Sequence, residues 1–221
     1  TPRPLIRAIA DVIRPQLGER VSDPACGTGG FLLAALETMT AGKTLNPDER
    51  KRLQQNSLYG WEIVDSTARL CVMNLYLHGV GMNGGESPIQ VEDSLANLPS
   101  VRFDVVLTNP PFGKKSSVTI QSEKTNGKKK DDSPVREDFW ATTSNKQLNF
   151  VQHVNTVLKR GGRAAMGLPD NCLFESKAGE VFEILMQDCN LHTVLRLPRG
   201  TFTPYSQGVK ANVIFFSKGT P

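Results

Sequence analysis

The sequence predicts an α/β domain: a mostly parallel sheet of seven strands with helices on both faces. Two observations predict it. Short apolar runs alternate with amphipathic segments along all 221 residues, which is the rhythm of strand–helix–strand units. Several of those runs also end in glycine-rich or polar clusters, and in open α/β sheets ligands sit beyond the carboxyl ends of the strands. The length suits a single domain over residues 1–221 with a substantial core.

The elements follow in order. "PLIRAIADVIRPQL" carries apolar residues at helical spacing and stops near Pro15. "RVSDPACGTGG" is a short strand running into a glycine-rich turn, and "FLLAALETM" is the helix after it. The polar "GKTLNPDERKRLQQ" carries a short helix starting near Pro47, and "SLYGWEI" is a second strand. "DSTARLCVMNLYLHG" is a helix with Asp65 as its N-cap. "IQVEDSL" and "FDVVLTNPPF" are the third and fourth strands. "NKQLNFVQHVNTVLKRGG" is a helix ended by glycines. "RAAMGLPD" is a strand, "AGEVFEILMQDC" a helix, and "LHTVLRLP" and "KANVIFFSK" two closing strands.

Composition excludes several classes. Hydrophobic content is 38% and charged content 22%, as in an ordinary globular domain. No run approaches the roughly 20 apolar residues that cross a bilayer. The start "TPRPLIRAI" has neither an initiator Met nor a basic-then-apolar leader, so the chain reads as a piece of a longer cytoplasmic protein. Cys26, Cys71, Cys172 and Cys189 show no C-x-x-C pairing and no close histidine, which argues for reduced thiols and against zinc or another bound metal. His78, His153 and His192 are scattered and read as surface or packing residues. The net charge of +4 permits a nucleic-acid partner without establishing one. Residues 113–137 break the rhythm, with almost no core-forming side chains and seven basic groups against four acidic ones. They read as a flexible basic loop, solvated or functional.

Four strand ends carry the candidate chemistry. In "DPACGTGG", Gly27, Gly29 and Gly30 let backbone approach a ligand before a helix begins. Leu32 holds the place of the third glycine of a dinucleotide fingerprint. Asp23, ahead of the turn, suits an ammonium group better than a pyrophosphate, which points away from a nicotinamide enzyme and toward an amino-acid-bearing nucleoside such as S-adenosylmethionine. Glu62, at the end of the second strand, is placed to accept from ribose hydroxyls, or is a surface acid. Trp61 or Ile63 beside it packs on an adenine ring or in the core. Asp93 accepts from an adenine amino group, or caps the next turn.

The fourth end is "VVLTNPPFG". Pro110 and Pro111 fix their own φ and keep the preceding residues out of helical conformation, so the turn is stiff. The Asn109 carboxamide and the Pro110 carbonyl are two acceptors for one amino group, and Phe112 is a platform for a planar ring.

"DPACGTGGF" followed by "NPPFG" resembles the amino-methyltransferases that act on adenine N6 in DNA, whose pattern at this turn is (D/N/S)-P-P-(Y/F). The opening "TPRPLIRAI" resembles the segment preceding the glycine turn in the gamma-order members. In order, "TPRP", "DPACGTGGFL", "GWEI", "NPPFG", "GLPDNCLF" and "LRLPRGTF" resemble the modification (M) subunit of type I restriction-modification systems across essentially the whole chain. "NPPF" alone is shared with protein-glutamine and ribosomal RNA methyltransferases, which are the rival enzymes. A module that binds without turnover is the rival outside catalysis.

The resemblance implies a Rossmann-like S-adenosylmethionine-dependent methyltransferase fold. It implies that Asp23, Gly27, Thr28, Gly29 and Gly30 line the S-adenosylmethionine site, with Thr1, Pro2 and Arg3 meeting the cofactor from upstream. Glu62 then takes the ribose and Asp93 the adenine, while Asn109, Pro110, Pro111 and Phe112 form the catalytic turn. A later aromatic, Phe202 or Tyr205, stands near the flipped base. The implied partners are double-stranded DNA with a flipped adenine, a specificity (S) subunit, a second M subunit and a restriction (R) subunit, in the cytoplasm of a bacterium or archaeon.

Overall fold

The computed structural model describes residues 1–81, 86–112, 121–122, 135–203 and 208–219. Helix α1 (Arg3–Ile13) leads to strand β1 (Val21–Asp23) and helix α2 (Gly30–Thr40). Helix α3 (Pro47–Asn56), β2 (Leu58–Trp61), α4 (Asp65–Leu77), β3 (Ile89–Gln90) and β4 (Phe103–Thr108) follow. The short β5 (Gln121–Ser122) and β6 (Val135–Arg136) pair in parallel as a separate ribbon. Then come α5 (Lys146–Val157), β7 (Leu158–Pro169), α6 (Asp170–Leu173), α7 (Ala178–Asp188), β8 (Cys189–Arg196) and β9 (Ala211–Lys218).

The main sheet has seven strands in the order β3-β2-β1-β4-β7-β9-β8. β1 pairs in parallel with both β2 and β4, and β4 in parallel with β7. β9 inserts antiparallel between β7 and β8. The chain works outward from β1 to β3 and then returns to β4, so the order reverses between β1 and β4. That reversal opens a crevice at the carboxyl ends of these two strands.

Strand alternation divides the core. Val105 and Leu107 of β4 and Ala165 of β7 pack with α1, α2 and α4 on one face. Val106, Ala164, Met166 and Leu168 pack with α5 and α7 on the other. Helix α1 buries Ile6, Ile9, Ala10 and Ile13, the i, i+3, i+4, i+7 stripe of an amphipathic helix. Its C-terminal end is fastened by Arg163 of β7, which donates to the carbonyls of Ile13 (2.7 Å) and Arg14 (2.8 Å) while paired with Glu19 (2.8 Å).

Several local expectations are corrected. Asp65 is not the cap of α4: Val64 holds that position, and Asp65 sits in the first turn, paired with Arg69 at 2.8 Å. Helix α5 ends at Val157, before the glycines, because Leu158 is already extended. Gly161 and Gly162 belong to β7. A side chain on Gly162 would press on the Lys159 carbonyl (2.9 Å) and on those of Phe103 and Asp104 (3.1 Å each), where the β4–β7 register shifts. The expected third strand shortens to Ile89–Gln90.

Most of the expected 113–137 loop lies outside the described residues, but Arg136, near its end, does not behave as a solvated side chain. Arg136 is buried. Its guanidinium meets Asp138 at 2.7 Å, donates to the Leu95 carbonyl at 2.9 Å and lies 4.4 Å from the Phe139 ring centroid. Buried His153 packs beside it at 3.3 Å, and burial, with the Arg136 charge, pushes the imidazole down to about 3. The segment is folded inward because Asp138, a carbonyl and an aromatic face together satisfy the buried cation.

Candidate active site

The site forms where the ends of β1, β2, β3 and β4 converge. At the first end, Gly27 (φ 54°) and Gly29 (φ 86°) take left-handed conformations that only glycine adopts without strain. The turn between them is tied down on several sides. Cys26 N donates to the Trp61 carbonyl (2.9 Å), and Asn74 of α4 donates to the Thr28 carbonyl (2.9 Å). A side chain at Gly29 would meet the Cys71 sulfur at 2.8 Å, so the turn lies directly on α4.

Asp23 is 1% exposed. One carboxylate oxygen accepts from the Thr108 hydroxyl (2.7 Å) and from Ala25 N–H (3.0 Å). Burial pushes its carboxyl up to about 7; these two donors oppose the shift and the nearby Glu62 charge adds to it. Thr108 is the residue just before the Asn-Pro-Pro turn, so Asp23 links the glycine turn to that turn. Sequence reading passes over Thr108, because nothing local marks a threonine inside a strand.

Glu62 stands one residue past β2. Its carboxylate accepts from Gly27 N–H (3.1 Å) and Val64 N–H (2.9 Å) and so braces the glycine turn from the second strand end. Trp61 belongs to the core, 5.9 Å from the Phe103 ring and bonded to Glu92 at 3.1 Å. Ile63 is 66% exposed, so of the two residues flanking Glu62 it is the open apolar surface. The exposed Asp93 accepts from Leu95 N–H at 2.9 Å, and Ser94 ties its turn to the Pro24 carbonyl at 2.7 Å. Trp61, Glu62, Ile63, Asp93, Ser94 and Pro111 share the walls of one cleft.

The Asn-Pro-Pro turn leaves β4 at Thr108. Gln147 of α5 donates to the Pro111 carbonyl at 2.7 Å and fastens the turn from behind. The Asn109 amide nitrogen donates to the Thr1 hydroxyl at 3.0 Å. Its carboxamide oxygen is buried and, among the described residues, accepts no hydrogen bond. Phe112 meets Phe202 edge-on, with ring centroids 4.9 Å apart and planes at 88°. A second cleft, of about 440 Å³, opens on the Phe112 side, between Phe112, Asp170, Asn171 and Lys210. Asp170 in its wall is paired with Arg196 at 2.7 Å and accepts from the Asn212 amide at 2.7 Å. The turn therefore stands between two clefts, with Pro111 on one and Phe112 on the other.

The structure thus brings Thr1, Asp23, the glycine turn, Glu62, Asp93 and residues 109–112 to one end of the sheet. Thr1 meets Asn109 directly. Arg3 is exposed and, with Thr1, Thr28 and Gly30, lines a recess between α1, α2 and α4. Phe202 packs on Phe112, while Tyr205 lies outside the described residues. The buried thiols of Cys172 and Cys189 are pushed up to about 12 and that of Cys26 higher still, so none of the three is a ready thiolate nucleophile.

Known proteins resemble this chain in sequence and fold. A family model described as N-6 DNA Methylase matches residues 1–221. The methylase subunit of the type I restriction enzyme StySPI, from Salmonella potsdam, is 41% identical over 232 residues, covering 100% of this chain and 40% of that protein. The crystal structure of the EcoKI M protein of a type I restriction enzyme matches with a TM-score of 0.84 at 38% identity, covering 100% of this chain and 44% of that one. A structure described as underlying complex assembly and conformational transition of the type I R-M system matches with a TM-score of 0.82 at 36% identity, over 100% of this chain and 42% of the other. The chain therefore spans about two-fifths of the length of the relatives it matches.

Proposed function

The chain belongs to the N-6 DNA methylase family, and on that premise we propose that it is the catalytic domain of a type I modification subunit, transferring a methyl group from S-adenosylmethionine to adenine N6 in DNA. The observation that carries the reading is the Asn109 carboxamide oxygen, a buried acceptor with no donor at the end of β4. A buried acceptor left unpaired costs roughly 1–3 kcal/mol. An exocyclic amine brings the missing donor. Rotation about the soft χ2 of asparagine turns the oxygen toward the cleft without moving the backbone.

The cofactor lies along the ends of β1, β2 and β3, with its adenosine over the first cleft. Its ammonium suits the acidic, buried end of β1 at Asp23, its ribose the Glu62 carboxylate, and its adenine the exposed Ile63 and the Asp93 turn. At Gly27 a side chain would project into open space, so glycine there leaves the backbone of the turn bare to a ligand. When bound, S-adenosylmethionine supplies an electrophilic methyl group.

The amine of adenine is a weak nucleophile because its lone pair is delocalised into the ring. Asn109 and the Pro110 carbonyl accept its two N–H groups and favour a tetrahedral nitrogen. They also point partial negative charge at the atom where positive charge develops. The stiff Asn-Pro-Pro turn, tied by Gln147 and Thr1, supplies orientation. The proton leaves after transfer, so the site needs no histidine base. An adenine within a duplex is out of reach, so the base is flipped out and stacks on Phe112, in the cleft bounded by Asn171 and Lys210.

DNA sequence is read by a specificity subunit, with a second modification subunit and a restriction subunit completing the assembly. Lys114, Lys115, Lys124, Lys128, Lys129 and Lys130 hold phosphates of the flipped strand. Among the described residues no helix is long and apolar enough to cross a membrane. Mass spectrometry of DNA from cells expressing the full-length protein with its neighbouring subunits tests the proposal. N6-methyladenine at a defined bipartite site is expected. Methylation of protein glutamine or RNA instead, with unmodified DNA, overturns it.

A further inference from the structure

We propose that Gly167 is a positioning residue for the methyl transfer: the space its missing side chain leaves in β7 is the niche that seats the Asn109 carboxamide. The inference rests on the role of Asn109 given above.

The register places the two residues together. Thr108 of β4 pairs with Met166 of β7, so the next residues along, Asn109 and Gly167, lie level where β4 ends. Alternation then sets their face. Asn109 follows the parity of Leu107 and Gly167 that of Ala165, and both of these pack on the α1 side of the sheet. The first residue of the chain, just ahead of α1, brings the Thr1 hydroxyl to the same place, 3.0 Å from the Asn109 amide nitrogen. The carboxamide is therefore seated between Thr1 and the floor of β7, and the χ2 rotation that turns its oxygen to the cleft leaves Cβ and Cγ where they are, over Gly167.

The floor has room only because residue 167 is glycine. The three atoms nearest to a β-carbon built there all belong to Asn109: Oδ1 in direct collision, Cγ at 3.0 Å and Cβ at 3.4 Å. Backbone conformation does not demand the glycine, since Gly167 is absent from the residues with positive φ. Glycine inside a buried strand also weakens it, having no side chain to pack. What remains to explain it is close approach, and the group approaching carries the buried, unpaired side-chain oxygen of Asn109. An alanine would drive the carboxamide out of line with the amine, and a misplacement of about 1 Å costs on the order of 10²-fold in rate.

The test uses the assembled enzyme with its duplex and S-adenosylmethionine, comparing wild type, Gly167→Ala, Asn109→Ala and the double variant. Gly167→Ala is expected to slow single-turnover methyl transfer about 10²-fold, while cofactor affinity by calorimetry stays at the wild-type value. In the Asn109→Ala background the same change is expected to cost no further rate and no thermal stability, because the β-carbon then fills vacated space. A Gly167→Ala enzyme as fast as wild type, or faster, overturns the proposal, as does an equal loss in both backgrounds. If Gly167→Ala does not fold, the double variant decides. Recovery of a folded double variant supports the niche, and its failure to fold overturns it. A wild-type rate for Asn109→Ala would instead sink the role of Asn109, a separate result from any of these.

Discussion

Asn109 and Thr1 are joined by a hydrogen bond of 3.0 Å across 108 positions of sequence, amide nitrogen to hydroxyl oxygen. The bond ties the segment before α1 to the Asn-Pro-Pro turn itself. A single neutral hydrogen bond contributes about 1 kcal/mol. Thr1→Val in the full-length protein should therefore lower the methyl-transfer rate several-fold, and Thr1→Ser should restore it. Single-turnover kinetics of the three proteins checks this, and equal rates for valine and serine would remove the bond from the mechanism.

Removing the acceptor itself should be far more costly. Asn109→Ala is expected to leave cofactor affinity nearly intact and to raise the barrier of the chemical step by about 2–4 kcal/mol, the range seen when one preorganised polar group is lost. Single-turnover rates and calorimetry, measured on the same preparation, separate the two effects.

Asp23 should make cofactor binding sensitive to pH. Its buried carboxyl titrates at about 7, and only the ionised form pairs with an ammonium group. Affinity for S-adenosylmethionine should fall as pH drops below about 7, with proton release on binding. Asp23→Ala should bind weakly and lose that dependence. Calorimetry across the acid-to-neutral range would refute the pairing if both proteins gave flat profiles.

The same group should shape stability without ligand. Its folded value of about 7 lies above the ordinary 3.8, so the folded chain holds the proton more tightly than the unfolded one. This contribution is fully present below 3.8 and is lost as pH rises through about 7. Relative to Asp23→Asn, which cannot ionise, the wild type should become less heat-stable between pH 5 and pH 8. Parallel Tm profiles for the two would contradict this.

Arg136 should behave as a core residue. Arg136→Ala leaves Asp138 without its 2.7 Å partner and opens the space under Phe139. Breaking a buried ion pair costs on the order of 3–5 kcal/mol, and Asp138, at 22% exposed, places this pair toward the lower end. Urea unfolding should show a lower midpoint with an unchanged slope, whereas a truly solvated loop arginine would leave the midpoint where it was.

By itself the sequence determined the order of the elements, the glycine turn and the stiff Asn-Pro-Pro turn, because these depend on residues within one helical turn or one strand of each other. Apolar periodicity marks α1 through Ile6, Ile9 and Ile13, and left-handed glycines mark the turn at Gly27 and Gly29. Side-chain alternation and charge alone could not say what faces what. Only the parallel register of β4 on β7 sets Gly167 beside Asn109, and only the packing of α1 on that face delivers Thr1. Asp23 reads locally as an acid at a strand end, and burial beneath Thr108 turned it into a group poised near neutrality. Arg136 reads as one more loop cation until Asp138, the Leu95 carbonyl and the Phe139 ring surround it. A contact between distant residues exists only once the strands have chosen their neighbours, and a carboxyl or guanidinium takes its chemistry from whatever then closes around it.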